Sequence, residues 1–245
     1  MSRIDRAYCL GYIEYMLGAY RTQRGDRPSA NTVYNYCRIL NTALNAAVRE
    51  GIIAVNPFAL LATSDKPRRP ESHRCYLSID ELHRMIDTPM AHEAIRRAFV
   101  FACLCGLRIS DIQRLCWANI VAHPDGTYIE IVVQKTQAPL CIPLSAAAMR
   151  WLPSRGAPED RVFGLPSAQY TNRILKAWAQ ESQVSKHVSF HVARHTFATM
   201  MITLGADLYT TSKLLGHTDV RMTQIYAKIV NEKKRRAVEL ANGYF

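Results

Sequence analysis

Apolar residues open the chain at helical spacing. Ile4, Tyr8, Tyr12, Tyr15, Met16 and Ala19 fall on one stripe and predict a helix over residues 4–20. Gly25 and Pro28 then break the pattern. A second helix begins where Ser29 or Asn31 can cap it and runs to the neighbourhood of Glu50. Val33, Tyr34, Cys37, Leu40, Leu44, Ala47 and Val48 form its apolar side. Gly51 is its stop. V-N-P-F at 55–58 is a turn, because the residue before a proline is pushed out of the α region. Residues 62–75 hold two prolines and no periodicity, and they read as a linker.

Periodicity returns at Ser78, where Glu81 three positions on completes a capping-box signature. Helix is predicted to continue through EAIRRAFVFACLCG, ending at Gly106. Alternation replaces it in TYIEIVV (127–133), a strand preceded by the turn H-P-D-G; PLCIPL (139–144) is its hairpin partner. From Ala146 to Lys234 the pattern is mostly helical, with loops at 153–167 and 182–189. The fold class expected is mainly α with a small antiparallel β-sheet (α+β). Its expected divisions are a helical domain over 1–66, a linker over 67–76, a mixed domain over 77–236 and a terminal tail over 237–245.

Charge adds a partner to this picture. There are 31 lysines and arginines against 20 acidic residues, a formal net charge of +11. Contacts of Lys and Arg with phosphates release condensed counterions, so a polyanion such as nucleic acid is a natural partner. Basicity that serves solubility alone is the competing explanation. Over residues 1–75 the balance is 11 basic to 6 acidic, or net +5. The cysteines number seven, an odd count with no disulfide spacing. Cys103 and Cys105 sit in an apolar run as small buried hydrophobes. Their C-x-C spacing has no second pair to complete a zinc site. A reducing, cytoplasmic setting is expected. No signal-peptide pattern opens the chain, and no apolar run reaches the roughly 18 residues a membrane span needs.

Four segments carry chemistry. Arg108 in GLRISDIQRL (106–115) follows an apolar run, so its guanidinium is expected to be largely buried and to need an anion. A planar fork of donors suits two phosphate oxygens; a structural salt bridge with Asp111 is the alternative. Lys135 in QKTQAPLCIPL (134–144) lies at the hairpin turn, where a solvated lysine is the ordinary outcome. In HVARHTFATMM (191–201), His191 and Arg194 are spaced i, i+3 and share a helix face. His195 is read as a satisfied core histidine pointing elsewhere. In LLGHTDVRMTQIYAK (214–228), Gly216 permits a tight turn before His217, and Tyr226 could equally be a core aromatic.

Taken together and in this order, these segments resemble the tyrosine recombinase (phage integrase) family, in the patterns G-L-R-x-S-D/E, H-x-L-R-H-T-F-A-T and L-L-G-H…Y. Ala193 stands where the family usually has leucine, a difference of packing. The resemblance implies a mixed catalytic domain of the DNA breaking-rejoining enzyme fold. It implies Arg108, Lys135, His191, Arg194, His217 and Tyr226 as catalytic residues, with Tyr226 as nucleophile and Lys135 protonating the leaving oxygen. It implies site-specific recombination of double-stranded DNA by a homo-oligomer, a tetramer on DNA, with directionality factors as possible accessories. No ATP, metal or other cofactor is expected. SANTVYNYCRILNTALNAAVREG followed by N-P-F resembles the helical core-binding (SAM-like) domain of the family, with no room here for the arm-binding domain many relatives carry. Arg21, Arg24, Arg27 and Arg38 are its candidate phosphate contacts, though ordinary solvated surface explains each one equally well. The tail either docks on a neighbouring subunit or folds back on its own domain.

Two other activities compete: relaxation of supercoils in the manner of a type IB topoisomerase, and DNA binding without cleavage by a regulator of the same fold. Phosphate-loop, dinucleotide, zinc-protease and serine-hydrolase motifs are absent, and no carboxylate cluster suggests a two-metal nuclease.

Overall fold

The computed structural model describes residues 4–70 and 74–226, together with 238 and 239. The chain divides into two compact units, Met1–Ser72 and His73–Phe245. The tail over 237–245 lies outside the described residues apart from 238 and 239, as do residues 71–73 of the linker.

The first unit is built on α1 (Arg6–Leu17) and α2 (Ala30–Arg49). Both start on side-chain caps: Asp5 accepts from the Tyr8 amide and Ser29 from the Thr32 amide. Cys9, Ile13 and Met16 of α1 pack on Val33, Cys37 and Leu44 of α2, and Phe58 and Leu61 close the cluster. The turn around Pro57 is held by Asn56. Its amide group donates to Asn41 Oδ1 at 2.8 Å and Asn45 Oδ1 at 2.7 Å, and its Oδ1 accepts from the Phe58 amide.

In the second unit, α3 (Ile79–Asp87) begins with the reciprocal capping box of Ser78 and Glu81. The expected single long helix is two. α3 stops at Thr88, whose backbone is extended ahead of Pro89, and α4 (Glu93–Cys105) starts afresh. Pro89 supplies no N–H and forces its predecessor out of helix, which outweighs the propensity on either side. α4 is buried almost all round, from Ala98 through Cys103, and is the axis of the unit. It packs against α8 (Phe190–Leu204), with Phe99 set edge-on to both Trp178 and Phe190. α7 (Ala168–Glu181) brings Trp178 and Leu175 to this core.

A short α5 (Ile109–Ile112) leads to a three-stranded antiparallel sheet in the order β1 (Ile120–His123), β2 (Gly126–Val132), β3 (Pro139–Pro143). β1 was not predicted: four residues are too few for alternation to register. It pairs with β2 across the two-residue turn Pro124–Asp125. Ile129 of β2 and Leu140 and Ile142 of β3 face the core. Among the described residues of the unit there follow α6 (Ala146–Met149), α9 (Leu208–Leu214) and short 3₁₀ turns at Val220–Met222 and Gln224–Tyr226.

Candidate active site

The site begins where α4 ends. Gly106 has φ 76°, the left-handed conformation that terminates a helix, and a Cβ there would lie 2.5 Å from the Phe197 ring. Glycine therefore lets α4 and α8 close against each other at this point. Two residues on, Arg108 stands at the N-terminus of α5, half-buried, and its Nη1 is buried with no hydrogen-bond partner. Desolvation lowers its pKa, partly opposed by the charge of Asp111. The structural salt bridge with Asp111 does not form. Asp111, 5 % exposed, turns its Oδ1 to the Gln134 amide at 3.0 Å and ties α5 to the β2–β3 hairpin. Arg108 is thus a buried donor without an acceptor, the condition an incoming anion relieves.

Arg194 lies on α8, 4 % exposed. Its Nη1 donates to the Gly106 carbonyl at 2.8 Å and its Nη2 to the Leu215 carbonyl at 2.6 Å. The guanidinium so spans the end of α4 and the end of α9, and three of its five N–H groups remain for a ligand. Burial, then repulsion from Arg108, brings its pKa down to about 9, still charged at neutral pH. Gly216, at φ 61°, turns the chain immediately after Leu215 and rests on the Leu140 side chain of β3. That turn presents His217, whose Nδ1 shares a 2.9 Å hydrogen bond with Thr223 Oγ1. Desolvation and the charges of Arg194 and Arg108 drive its pKa to about 4, so it is neutral.

Lys135 sits at the exposed tip of the β2–β3 turn. The Gln137 amide donates to the Val133 carbonyl, with Gln137 itself at φ 54°, and its side chain donates to the Gln134 carbonyl at 2.7 Å. His191, at the exposed rim of α8, has its pKa lowered by desolvation and then by Arg194, Arg74, Arg108 and Lys135. One imidazole therefore feels the charge of both predicted arginines and of the predicted lysine.

Tyr226 is 4 % exposed, and its hydroxyl shares a 2.7 Å hydrogen bond with Nδ1 of His195, which is 7 % exposed. This corrects the reading of His195. It is buried and satisfied as expected, but it does not point away from the site: its partner is the predicted nucleophile. Its ring is also perpendicular to that of His191, with centroids 4.6 Å apart. The signal was available, because residues spaced i, i+4 share a helix face as surely as those at i, i+3. Desolvation raises the Tyr226 pKa to about 12, against the pull of Arg194 and Arg74. Desolvation and the field of His191, Arg74, Arg194 and His217 hold His195 near 3. Arg74 was not singled out from the sequence. It precedes Leu77, whose amide donates to Thr196 Oγ1 of α8 at 2.9 Å, and its charge reaches His191, His195 and Tyr226.

The six predicted catalytic residues are therefore drawn together by α4, α5, the hairpin, α8 and the turns after α9. The four candidate arginines of the first unit behave differently from this set. Arg21 Nη1 donates to the carbonyls of Gly18 and Tyr20 and so closes the end of α1. Arg24 and Arg27 line a shallow open cavity with Tyr20, Thr22, Asp26 and Tyr36. Arg38 is exposed on α2. All seven cysteines are free. Among the described residues no cluster of His, Cys, Asp or Glu is arranged to hold a metal, and no helix is long and apolar enough to cross a membrane.

Comparison with known proteins bears on this geometry. The profile of the phage integrase family matches residues 76–233, and that of the phage integrase SAM-like domain matches residues 1–66. The chain is 29% identical over 233 residues to the tyrosine recombinase XerC of Pelobacter propionicus, covering 87% of this chain and 74% of the relative. To XerC of Bacillus subtilis it is 26% identical over 225 residues, 84% and 73% of the two chains. Among solved structures, the XerH site-specific recombinase in a post-cleavage complex with its difH substrate superposes with a TM-score of 0.73 at 14% identity. That match covers 99% of this chain and 74% of XerH. A lambda integrase dimer bound to a core site superposes with a TM-score of 0.69 at 20% identity, over 92% and 80% of the two chains.

Proposed function

The chain belongs to the phage integrase family, and on that premise we propose that it is a tyrosine recombinase that cuts and rejoins duplex DNA at a specific site through a 3′-phosphotyrosyl intermediate. The observation that carries this reading is the convergence of Arg108, Arg194, His191 and His217 beside a buried phenol, with a guanidinium nitrogen left unpartnered. Arg108, Arg194 and His217 act as fixed donors to the non-bridging oxygens, where charge grows in the transition state. Tyr226 attacks phosphorus, His191 is the acceptor for its proton, and Lys135 protonates the departing 5′ oxygen. The 5′-hydroxyl of a partner strand then attacks the phosphotyrosyl bond. The bond energy is conserved in that link, so the exchange proceeds without ATP. Residues 77–236 form the catalytic domain and residues 1–66 the core-binding domain. Arg24, Arg27 and Arg38 contact phosphates, whereas Arg21 is committed to its own backbone.

The test is covalent trapping on a nicked suicide substrate. The native chain forms a protein–DNA adduct, and Tyr226→Phe forms none while binding the same duplex. An adduct that persists in Tyr226→Phe refutes the assignment. Exchange between two DNA sites, scored beside relaxation of a supercoiled plasmid, separates a recombinase from a topoisomerase. The acting species is a tetramer on DNA in the cytoplasm, with the 237–245 tail docked on a neighbouring subunit. Deleting 237–245 weakens synapse assembly if that docking is in trans and leaves it unchanged otherwise.

A further inference from the structure

The contact that the family pattern does not account for is the one between His195 and Tyr226. Resting on the reading of Tyr226 as nucleophile, we infer that His195 is a further catalytic residue, the first acceptor of the phenol proton, which it relays to His191 at the solvent rim.

Geometry carries the inference. Among the described side chains, His195 Nδ1 is the hydrogen-bond partner of the Tyr226 hydroxyl, at 2.7 Å, a distance at which a general base works. His191 meets the His195 ring rather than the phenol. His195 is buried and His191 is exposed, so the row phenol, inner imidazole, outer imidazole runs from the interior to solvent. When the phenol O–H donates to Nδ1, the ring's own proton is on Nε2, the nitrogen from which the second transfer starts, while the His191 ring packs edge-to-face on the same imidazole. This donation also leaves the lone pairs of the phenol oxygen free to address phosphorus.

The step balances as a single concerted movement. The phenolic oxygen forms its bond to phosphorus as the bond from phosphorus to the 5′ oxygen breaks. The phenol proton passes to His195 Nδ1 while the Nε2 proton of His195 passes to neutral His191. Lys135 supplies the proton taken up by the 5′ oxygen. His195 ends as it began, a neutral imidazole in its other tautomer. A stepwise route is disfavoured, because burial, and after it the charges of Arg74 and Arg194, oppose an imidazolium on His195. The same surroundings make His195 a poor store for a proton and leave transit as its available role.

Single-turnover cleavage of the suicide substrate by His195→Asn and His195→Ala tests this. Asparagine can keep the hydrogen bond to the phenol but cannot take a proton in at one atom and release one at another. Both variants are expected to slow adduct formation by roughly 100-fold or more with DNA binding unchanged. Their rates should climb about tenfold per pH unit above neutrality, as solvent must then deprotonate the phenol. Added imidazole should restore part of the rate to His195→Ala. Adduct formation by His195→Asn at close to the native rate overturns the relay and leaves His195 a positioning residue. A native rate in both variants overturns any role. Should the variants fail to fold, nitrogen NMR of the intact chain decides: the relay requires an unprotonated Nδ1 on His195, with a resonance that moves in Tyr226→Phe. A protonated Nδ1 overturns it. Failure of the underlying reading looks different, since adduct would then survive Tyr226→Phe itself.

Discussion

Among the described residues of the first unit the buried set is Cys9, Ile13, Met16, Val33, Cys37, Leu44, Ala47, Pro57, Phe58 and Leu61, with Asn56 as the buried polar residue. Arg24, Arg27 and Arg38 stand on its open surface. In the second unit Asp111, Arg194 and His195 are buried among apolar neighbours, and Arg108 has a buried, unpartnered nitrogen. Charge on a solvated surface costs little and can be moved with little consequence. Charge taken out of water costs several kcal/mol per ion even after relaxation. The first unit therefore carries its basicity as a field spread over many side chains. The second also takes Asp111, Arg194 and part of Arg108 out of water, where a charge left unpaired costs stability.

Four experiments sharpen that contrast. Replacing Arg108 with Met should lower the cleavage rate on the order of 10²–10³-fold. The same change should leave thermal stability equal or higher, because it removes an uncompensated buried donor. A rate loss matched by unfolding would count Arg108 as structural. Gly106→Ala should cost about 2–4 kcal/mol of stability by denaturant unfolding, since φ is positive there and a Cβ would meet Phe197. An unchanged midpoint would show that the junction of α4 and α8 can relax.

The third is acid. His195 and His217 have folded pKa values near 3 and 4, below the unfolded value near 6.5. The unfolded chain binds protons first as pH falls, so this stabilisation is fully present above pH 6.5 and is lost progressively toward pH 4 and 3. Residues 4–70 contain no histidine. An isolated fragment of the first unit, if it folds, should therefore lack this acid transition. Coincident acid transitions in the two units would dissolve the distinction. The smallest effect is expected from Arg24→Ala with Arg27→Ala. DNA affinity should weaken to a similar degree across sequences, and the salt slope should fall by about 2. A change in site preference instead would make these arginines readers of bases.

Much of the fold was legible along the chain because its signals are local. The Ser29 cap, the Ser78–Glu81 box and the alternation of 127–133 each depend on residues within a turn or a strand of one another. β1 is too short to show a period, and the break at Thr88–Pro89 is masked along the chain by strong helical pattern on both sides. Ordered short motifs nominate Arg108, Lys135, His191, Arg194, His217 and Tyr226 as the candidate site, without any distance between them.

The sequence by itself determined the inventory: most of the helices, the hairpin, a basic chain, and six candidate residues in the order of the family's motifs. Tertiary structure alone decided how those groups are partnered. It gave Asp111 to the Gln134 amide rather than to Arg108, Arg194 to the carbonyls of Gly106 and Leu215, and Tyr226 to His195. The reason is physical. A motif fixes which groups a segment offers, but hydrogen bonds and desolvation depend on what stands within a few ångströms, and here the partners lie 21 to 88 positions away along the chain.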